Sequence, residues 1–446
     1  MDAHARHALT QLTPSLVSAI AHGIARALCA EDRADRIARR VLRAHRALDD
    51  DGRALVAAAI IGTSGLALSC AWRLGTDEAS PHTLAMDARA LFAAWLTGVR
   101  GVDPESAARV TGLGDDVARA LRAHAGRPWP DDPIARVVVE HAMPRPIVAR
   151  LARAMPIEEV AALSAALSVP GPLTVRANPV ATTRDALSDA LTARGARVRA
   201  GLHAPLAVVF EARHDVDNCP LARAGHYAVQ DEGSQLIAHA LAPFSRGRVL
   251  DLCAGRGGKT LALVEAALAA GGHVVAADVD ARALSQAKGR VRRHAPAAPC
   301  SFVALTGDEE TDLRALRAEG PFDAVLVDAP CSQTGALRRG PDLRHRVTDA
   351  RVDENAATAR ALLARALGLV VPGGHVVYAT CSVLPDENDA VIDDAIARGL
   401  AVKAPLALPA TVMDDDGTRA HLWPHVHGTD GFFIAALRAN DVRALE

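Results

Sequence analysis

An α/β domain on a doubly wound sheet, preceded by a small α+β module and an all-helical N-terminal segment, is the fold class this 446-residue chain predicts. Three observations predict it. From about Gly225 onward, short apolar runs alternate with helical patterns, the mark of a mostly parallel sheet. Arg246-Gly-Arg-Val-Leu-Asp251 stops at the cluster Gly255, Gly257 and Gly258, opens a helical pattern, and returns as His273-Val-Val-Ala-Ala-Asp278. Before residue 130, apolar residues recur at spacings of three and four, as on one face of a helix.

The N-terminal helices come first. Val17, Ile20, Ile24 and Leu28 share one face, and Ile37, Val41 and Leu48 continue the pattern in a second helix. The other side of that second helix carries Arg33, Arg36, Arg40 and Arg43, either an RNA-facing stripe or a solvated helix face. Ala54 to Trp72 carries no charge and has the length of a membrane span. It is rich in Ala and interrupted by Gly62-Thr-Ser-Gly65, so a buried helix or helix pair is expected. Gly126-Arg-Pro-Trp-Pro-Asp-Asp-Pro133 reads as a linker.

A different texture runs from Ile134 to about Asp217. Helices are expected at Ile134–Arg153 and Ile157–Leu167, a strand at Leu173–Ala177, a helix at Thr183–Arg194 capped by Thr182 or Thr183, and a strand at Leu206–Phe210. The strands lack aromatics, which argues against base stacking on them. In the α/β region, strands are expected near 247–252, 273–278, 301–305, 323–328, 374–379 and 432–437. Helices are expected at Thr260–Ala270, Ala281–Arg293 and Glu354–Leu369.

Composition bounds the function. The length suits about three domains at ~150 residues each. Net charge is −2, so a nucleic-acid surface must be a local patch. Seven cysteines without a C-x-x-C pair argue against a disulfide framework and structural zinc, and fit a reducing compartment. The N-terminus has no signal-peptide apolar segment.

The glycine turn asks for a nucleoside. Glycines let the backbone approach a ligand, and an acid about 20 residues on can take ribose hydroxyls. The spacing is neither the dinucleotide G-x-G-x-x-G nor a P-loop, although Lys259-Thr260 mimics a P-loop's end. S-adenosylmethionine carries an adenosine and no pyrophosphate, so it needs this turn and this acid without a phosphate cradle. Asp278 ends its strand and is preferred over Asp280 for the ribose; Asp251 is expected to order the loop.

Two thiols stand at strand tips. Phe322-Asp-Ala-Val-Leu-Val-Asp328-Ala-Pro330-Cys331-Ser332 and Val376-Val-Tyr-Ala-Thr380-Cys381-Ser382 are apolar runs ending in cysteine. That is the edge of an open α/β sheet where ligands bind. A single cysteine there is more often a small core residue. Two, beside a cofactor turn, point to chemistry. No further His or Cys accompanies them as metal ligands, and no metal is expected.

These residues carry a resemblance. Asp251-Leu-Cys253-Ala-Gly-Arg-Gly-Gly-Lys-Thr, Asp-Ala-Pro-Cys331-Ser, Tyr-Ala-Thr-Cys381-Ser-Val-Leu-Pro-Asp-Glu-Asn388 and Asp430-Gly-Phe-Phe433 resemble the Nop/Sun family of RNA cytosine-5 methyltransferases. Gly225-His-Tyr-Ala-Val-Gln230-Asp231-Glu-Gly-Ser234 resembles the family's lead-in segment. Arg176-Ala-Asn178 with Thr182-Thr183 resembles its small RNA-binding module. The helical front is similar to the NusB-like domain of the bacterial RsmB/Sun branch, which modifies 16S ribosomal RNA. The resemblance implies a helical NusB-like RNA-binding domain over 1–130, a small α+β module over 134–217 and a Rossmann-like class I methyltransferase domain over 218–446.

The resemblance also implies roles. Cys381 is the nucleophile, Cys331 helps release the product, Asp328 stabilises charge at N3 of the base, and Lys259 hydrogen-bonds the base. Cys253, Ala254, Gly255, Arg256, Gly257, Gly258 and Lys259 hold S-adenosylmethionine, with Asp278 on the ribose, Asp308 on the adenine side and Asp328 nearby. The partner implied is RNA, 16S ribosomal RNA or the assembling small subunit, bound by a cytoplasmic monomer with no membrane or metal. Two residues depart from the pattern: Arg256 follows Gly255 where the family has Ala-Pro, and His345 stands where the bacterial branch has an aromatic residue. Two other readings remain open: the same chemistry on transfer RNA or DNA, and a catalytically idle RNA-binding assembly factor.

Overall fold

A computed structural model describes residues 3–440 apart from 78, 213 and 217. Two compact units are present, Met1–Pro170 with Ala336–Asp349, and Gly171–Gly335 with Ala350–Glu446. Packing therefore groups the helices of 134–167 with the helical front, and the strands from Leu173 with the sheet. Asp217, the expected module boundary, lies outside the described residues.

The first unit is helical: α1 (Ala3–Thr10), α2 (Pro14–Leu28), α3 (Ala34–Ala44), α4 (Asp50–Gly65), α5 (Ala67–Trp72), α6 (Pro81–Met86), α7 (Ala88–Arg100), α8 (Pro104–Thr111), α9 (Asp115–His124), α10 (Pro133–Glu140), α11 (Arg145–Leu151) and α12 (Ile157–Leu167). Thr13 caps α2 and Pro14 opens it, and Val17, Ile20, Ile24 and Leu28 are all buried. The uncharged stretch folds as the pair α4 and α5, with Leu55, Val56, Ala59 and Ile60 in the core. Among the described residues, no helix is long and apolar enough to cross a membrane.

Two helical expectations need correction. Leu48 lies beyond α3, which ends at Ala44. Ile134–Arg153 is two helices, because Ala142 takes a left-handed φ of 50° and Pro144 cannot continue a helix. The arginine stripe is partly neutralised: Arg40 and Arg36 lie 2.7 and 3.8 Å from Asp32, and Arg33 lies 3.2 Å from Asp35. Exposed pairs of this kind contribute ~0–1 kcal/mol each.

The second unit begins with a four-stranded antiparallel sheet, β1 (Leu173–Ala177), β2 (Val198–Ala200), β3 (Ala207–Phe210) and β4 (Tyr227–Val229), in the order β2-β3-β1-β4. Helices α13 (Arg184–Thr192) and α14 (Pro220–Arg223) lie along this stretch, and Thr183 caps α13. The buried Arg176 pairs with Glu265 across to the larger sheet's first helix. Asn178 donates to the Gly225 and His294 carbonyls at 2.8 and 3.1 Å. Both residues, quoted above for their resemblance to an RNA-binding module, spend their polar groups inside the protein.

After α15 (Glu232–His239), the larger sheet follows: β5 (Arg248–Asp251), α16 (Gly258–Ala270), β6 (His273–Asp278), α17 (Ala281–His294), β7 (Cys300–Ala304), α18 (Glu309–Glu319), β8 (Phe322–Asp328), α19 (Asp349–Leu367), β9 (Val370–Thr380), α20 (Asp389–Ala397), β10 (Ala401–Lys403), β11 (Arg419–Leu422), α21 (Pro424–His427) and β12 (Phe432–Ala439). The strand order is β10-β12-β9-β8-β5-β6-β7, with β11 on β12. Strands β5 to β9 pair in parallel, and β12 returns antiparallel on β9. The order reverses between β5 and β8, which opens a crevice at their C-terminal ends. Val249, Leu250, Val325, Leu326, Val376 and Val377 are buried in the centre of this sheet. At ~1.5–3 kcal/mol for each such side chain, the strands are a rigid base for the loops at their tips.

Candidate active site

The glycine turn hangs from β5. Gly255 and Gly257 have φ of +53° and +76°, a region that side chains rarely adopt. Packing also demands glycine at 257, since a Cβ there would lie 2.6 Å from Ala287 Cβ on α17. At Gly255 a Cβ would meet nothing within 4 Å, so the turn faces open space where a ligand can approach. Cys253 and Ala254 form the turn's inner side, Arg256 is exposed, and Gly258 begins α16. Burial pushes the Cys253 thiol well up.

Asp278 and Asp280 divide their work. Asp278 accepts from the Gly255 N–H and the Asp280 N–H, both at 2.7 Å, which ties the acid to the turn. Asp280 caps α17, accepting from Arg282 and Ala283 at 2.9 and 3.0 Å. Asp308 follows β7, caps α18 and is exposed; its bonds to Thr311 hold it below the usual carboxylate range. Asp251 is buried and accepts from the Thr260 hydroxyl at 2.6 Å, and burial pushes its carboxyl up to about 7. This bond ties the end of β5 to the first turn of α16.

The two thiols meet. β8 and β9 are parallel neighbours with Asp328 opposite Ala379, so the chain beyond each tip enters the same space. The sulfurs of Cys331 and Cys381 are 3.5 Å apart. The Cys381 contact, together with burial, raises the Cys331 thiol well above its ordinary value. Lys259 Nζ lies 2.7 Å from Asp328 Oδ2. Burial works against its charge, but Asp328, with a smaller contribution from Cys381, outweighs that and keeps the ammonium charged. Phe432 lies under the same ammonium, 5.9 Å from Nζ to the ring centre. Lys259, Asp328, Cys331 and Cys381, distant in sequence, form one cluster.

Glu387 and Asn388 hold this cluster, a role not read from the sequence. The buried Glu387 carboxylate accepts from Ser332 N at 2.8 Å, Ser332 Oγ at 2.6 Å and Asn355 Nδ2 at 2.9 Å. Asn388 accepts from Thr380 Oγ1 at 2.6 Å and donates to the Ser382 carbonyl at 3.0 Å. One residue therefore fixes the loop after Cys331, and the next fixes both neighbours of Cys381. Their only sequence signal is their place in the quoted Pro385-Asp-Glu-Asn388 motif.

His345 lies within the helical unit. Its Nε2 is 2.7 Å from the Ser64 carbonyl, and burial lowers its pKa to about 4. Arg344 beside it donates to the His141 and Ala142 carbonyls at 3.0 and 2.8 Å. The residue that departs from the pattern is an internal tie. Among the described residues, no cluster of three or more His, Cys, Asp or Glu could hold a metal ion.

A family model described as 16S rRNA methyltransferase RsmB/F matches residues 238–438, and one described as the ferredoxin-like domain of RsmF/B-like methyltransferases matches 143–217. A Bacillus subtilis protein named "Probable ribosomal RNA small subunit methyltransferase B" is 31% identical over 320 residues, 69% of each chain. The mouse (Mus musculus) 28S rRNA (cytosine-C(5))-methyltransferase is 30% identical over 318 residues, 66% of this chain and 38% of that one. The crystal structure of a methyltransferase homolog protein from Pyrococcus horikoshii aligns with a TM-score of 0.57 at 23% identity, over 70% of this chain and 100% of that one, a likeness of fold. The chain thus belongs to the Nop/Sun family of RNA cytosine-5 methyltransferases, in its bacterial RsmB branch.

Proposed function

We propose that this protein transfers a methyl group from S-adenosylmethionine to carbon 5 of a cytosine in small-subunit (16S) ribosomal RNA, through a covalent Cys381–cytosine adduct, as a cytoplasmic monomer. The observation that carries the reading is the pair of sulfurs 3.5 Å apart beside the Lys259–Asp328 ion pair. Family membership and the relatives named for ribosomal RNA support the substrate.

The turn from Cys253 to Gly258, with Lys259 behind it, fits an adenosine-bearing sulfonium. It faces open space at Gly255 and is tied to Asp278, which takes the ribose, while Asp308 serves the adenine side. When bound, the cofactor supplies an electrophilic methyl group. Carbon 5 of cytosine is a poor nucleophile. Attack of the Cys381 thiolate on carbon 6 forms a C–S bond and pushes the ring's electron pair toward carbon 5, which can then take the methyl. Asp328 stabilises the charge arriving at N3, and Lys259, paired with it, hydrogen-bonds the base. Cys331 helps end the adduct: solvent water beside it takes the carbon-5 proton, the freed electron pair restores the C5–C6 double bond, and Cys381 leaves carbon 6 as the thiolate. Charge on Lys259 beside the Cys381 sulfur, and a Cys331 thiol that holds its proton, support that division. The target base must be unstacked to reach the cluster, which favours single-stranded or assembling RNA.

The test supplies the purified protein with methyl-labelled S-adenosylmethionine and, in parallel reactions, bulk ribosomal RNA, transfer RNA and DNA, then maps 5-methylcytosine. Label in small-subunit RNA is expected. Label only in transfer RNA or DNA would move the substrate, and RNA binding without label would make the chain an assembly factor.

A further inference from the structure

Helix α17 is unusual in its charge. It carries Arg282, Lys288, Arg290, Arg292 and Arg293 and no acid between Ala281 and His294. Other basic helices here pair their cations: Arg314 with Glu310 on α18 at 2.7 Å, and Arg40 with Asp32 beside α3 at 2.7 Å. Among the described residues, Arg256, Arg290, Arg292 and Arg293 have no ion-pair partner.

Their position is specific. Ala287 packs on Gly257 of the cofactor turn, and Arg290 is one turn further along. Its Nη1 lies 3.9 Å from where a Cβ on Gly258 would stand. Arg290 is partly buried among Arg293, Arg176 and Arg256; burial and these like charges lower its pKa. Arg176 has its own acid, Glu265. The remaining guanidiniums repel one another with no carboxylate to offset them, an arrangement that an anion relieves.

We infer that Arg290 and Arg293, with Arg256 at the turn, form a phosphate-binding track for the single-stranded RNA that delivers the target cytosine. The inference rests on the RNA-methylating reading above. Arginine suits it because its planar fork meets phosphate oxygens bidentately. The track begins at the cofactor turn and runs along α17 to His294, whose carbonyl is held by Asn178 of the β1 segment.

The experiment compares the full-length protein with Arg290→Gln/Arg293→Gln, and with Arg314→Gln/Arg317→Gln on α18 as a control of equal charge change. The probe is bulk ribosomal RNA titrated at several salt concentrations, with S-adenosylmethionine affinity measured separately without RNA. Each phosphate contact on single-stranded RNA contributes about 0.7 to the slope of log K against log salt. Loss of two contacts therefore makes the slope shallower by about 1.4, and weakens binding roughly tenfold or more near 0.1 M salt. The control should match wild type, and S-adenosylmethionine affinity should stay unchanged. An unchanged slope, or equal loss in the control, overturns the track. Loss of S-adenosylmethionine affinity in the α17 variant would assign the arginines to the cofactor and overturn it as well. So would a lowered melting temperature with both affinities lost, because the arginines would then be structural. Wild type that binds RNA without methylating any would refute the functional reading and leave the binding comparison intact.

Discussion

Glu387→Gln tests whether placement of the Cys331 loop controls release of the product. Glu387 is 1% exposed, and its carboxylate accepts three hydrogen bonds, two from Ser332 and one from Asn355. Glutamine keeps the shape and removes the charge. A charged bond contributes ~1.5–3 kcal/mol and a neutral one ~0.5–1.5, so three bonds lose about 3 kcal/mol together. Burying an amide costs less than burying a carboxylate, which returns part of this. About 1–2 kcal/mol remains, or roughly 5- to 30-fold on the step that needs the loop in place. Two of these bonds come from Ser332, beside Cys331, whereas Asn388 holds Thr380 and Ser382 on either side of Cys381. Single-turnover assays with labelled RNA on denaturing gels should therefore show adduct formation near the wild-type rate and adduct decay slowed by that factor. S-adenosylmethionine affinity should not change. Equal slowing of formation and decay would refute the separation of the two loops, and an unaltered decay rate would remove any role for Glu387 in placing Cys331.

Three other outcomes are expected. Cys381→Ala should give neither product nor a covalent protein–RNA band, whereas Cys331→Ala should methylate once and stall with RNA attached; the reverse pattern would make Cys331 the nucleophile. Asp278→Ala should weaken S-adenosylmethionine binding by ~1.5–3 kcal/mol, while Asp280→Ala should cost ~1 kcal/mol of stability as a lost helix cap, and calorimetric titration beside thermal melts would expose the opposite assignment. His421 loses charge stability on burial, but Asp389 and Asp414, each 2.9 Å away, outweigh this and raise its pKa to about 9. Its folded pKa exceeds the unfolded ~6.5, so its contribution of up to about 3 kcal/mol is present in full below pH 6.5 and lost as pH rises through 9. Melts across pH 6–9.5 should show that loss in wild type and not in His421→Asn, and parallel curves would contradict it.

Much of the fold follows from local chemistry. The runs at 247–252, 273–278 and 323–328 are strands because their central residues are buried on both faces of a parallel sheet and must be apolar there. The glycine turn was legible because left-handed backbone at Gly255 and Gly257 calls for glycine. Cys331 and Cys381 were legible as tip residues because Cys381 directly follows β9 and Cys331 comes three residues after the end of β8. Short strands such as β2, β4, β10 and β11 were missed, since three or four residues carry too little periodicity.

What only the tertiary structure decided are contacts between residues far apart in the chain. Asp278 and Asp280 look alike in sequence; one is tied to Gly255 and the other caps α17. Arg176 and Asn178 resemble RNA-binding residues but are consumed inside the unit by Glu265 and two carbonyls. The α3 arginines and the α17 arginines are equally basic strings, yet only the former find nearby acids in the fold. Glu387 is an ordinary acid after a proline until the chain turns back and sets it against Ser332, 55 residues earlier. Local pattern specifies which backbone shape each stretch adopts, because that depends on neighbours in sequence. The partner of a charge depends on which tips the sheet order brings together, and that is a property of the folded chain alone.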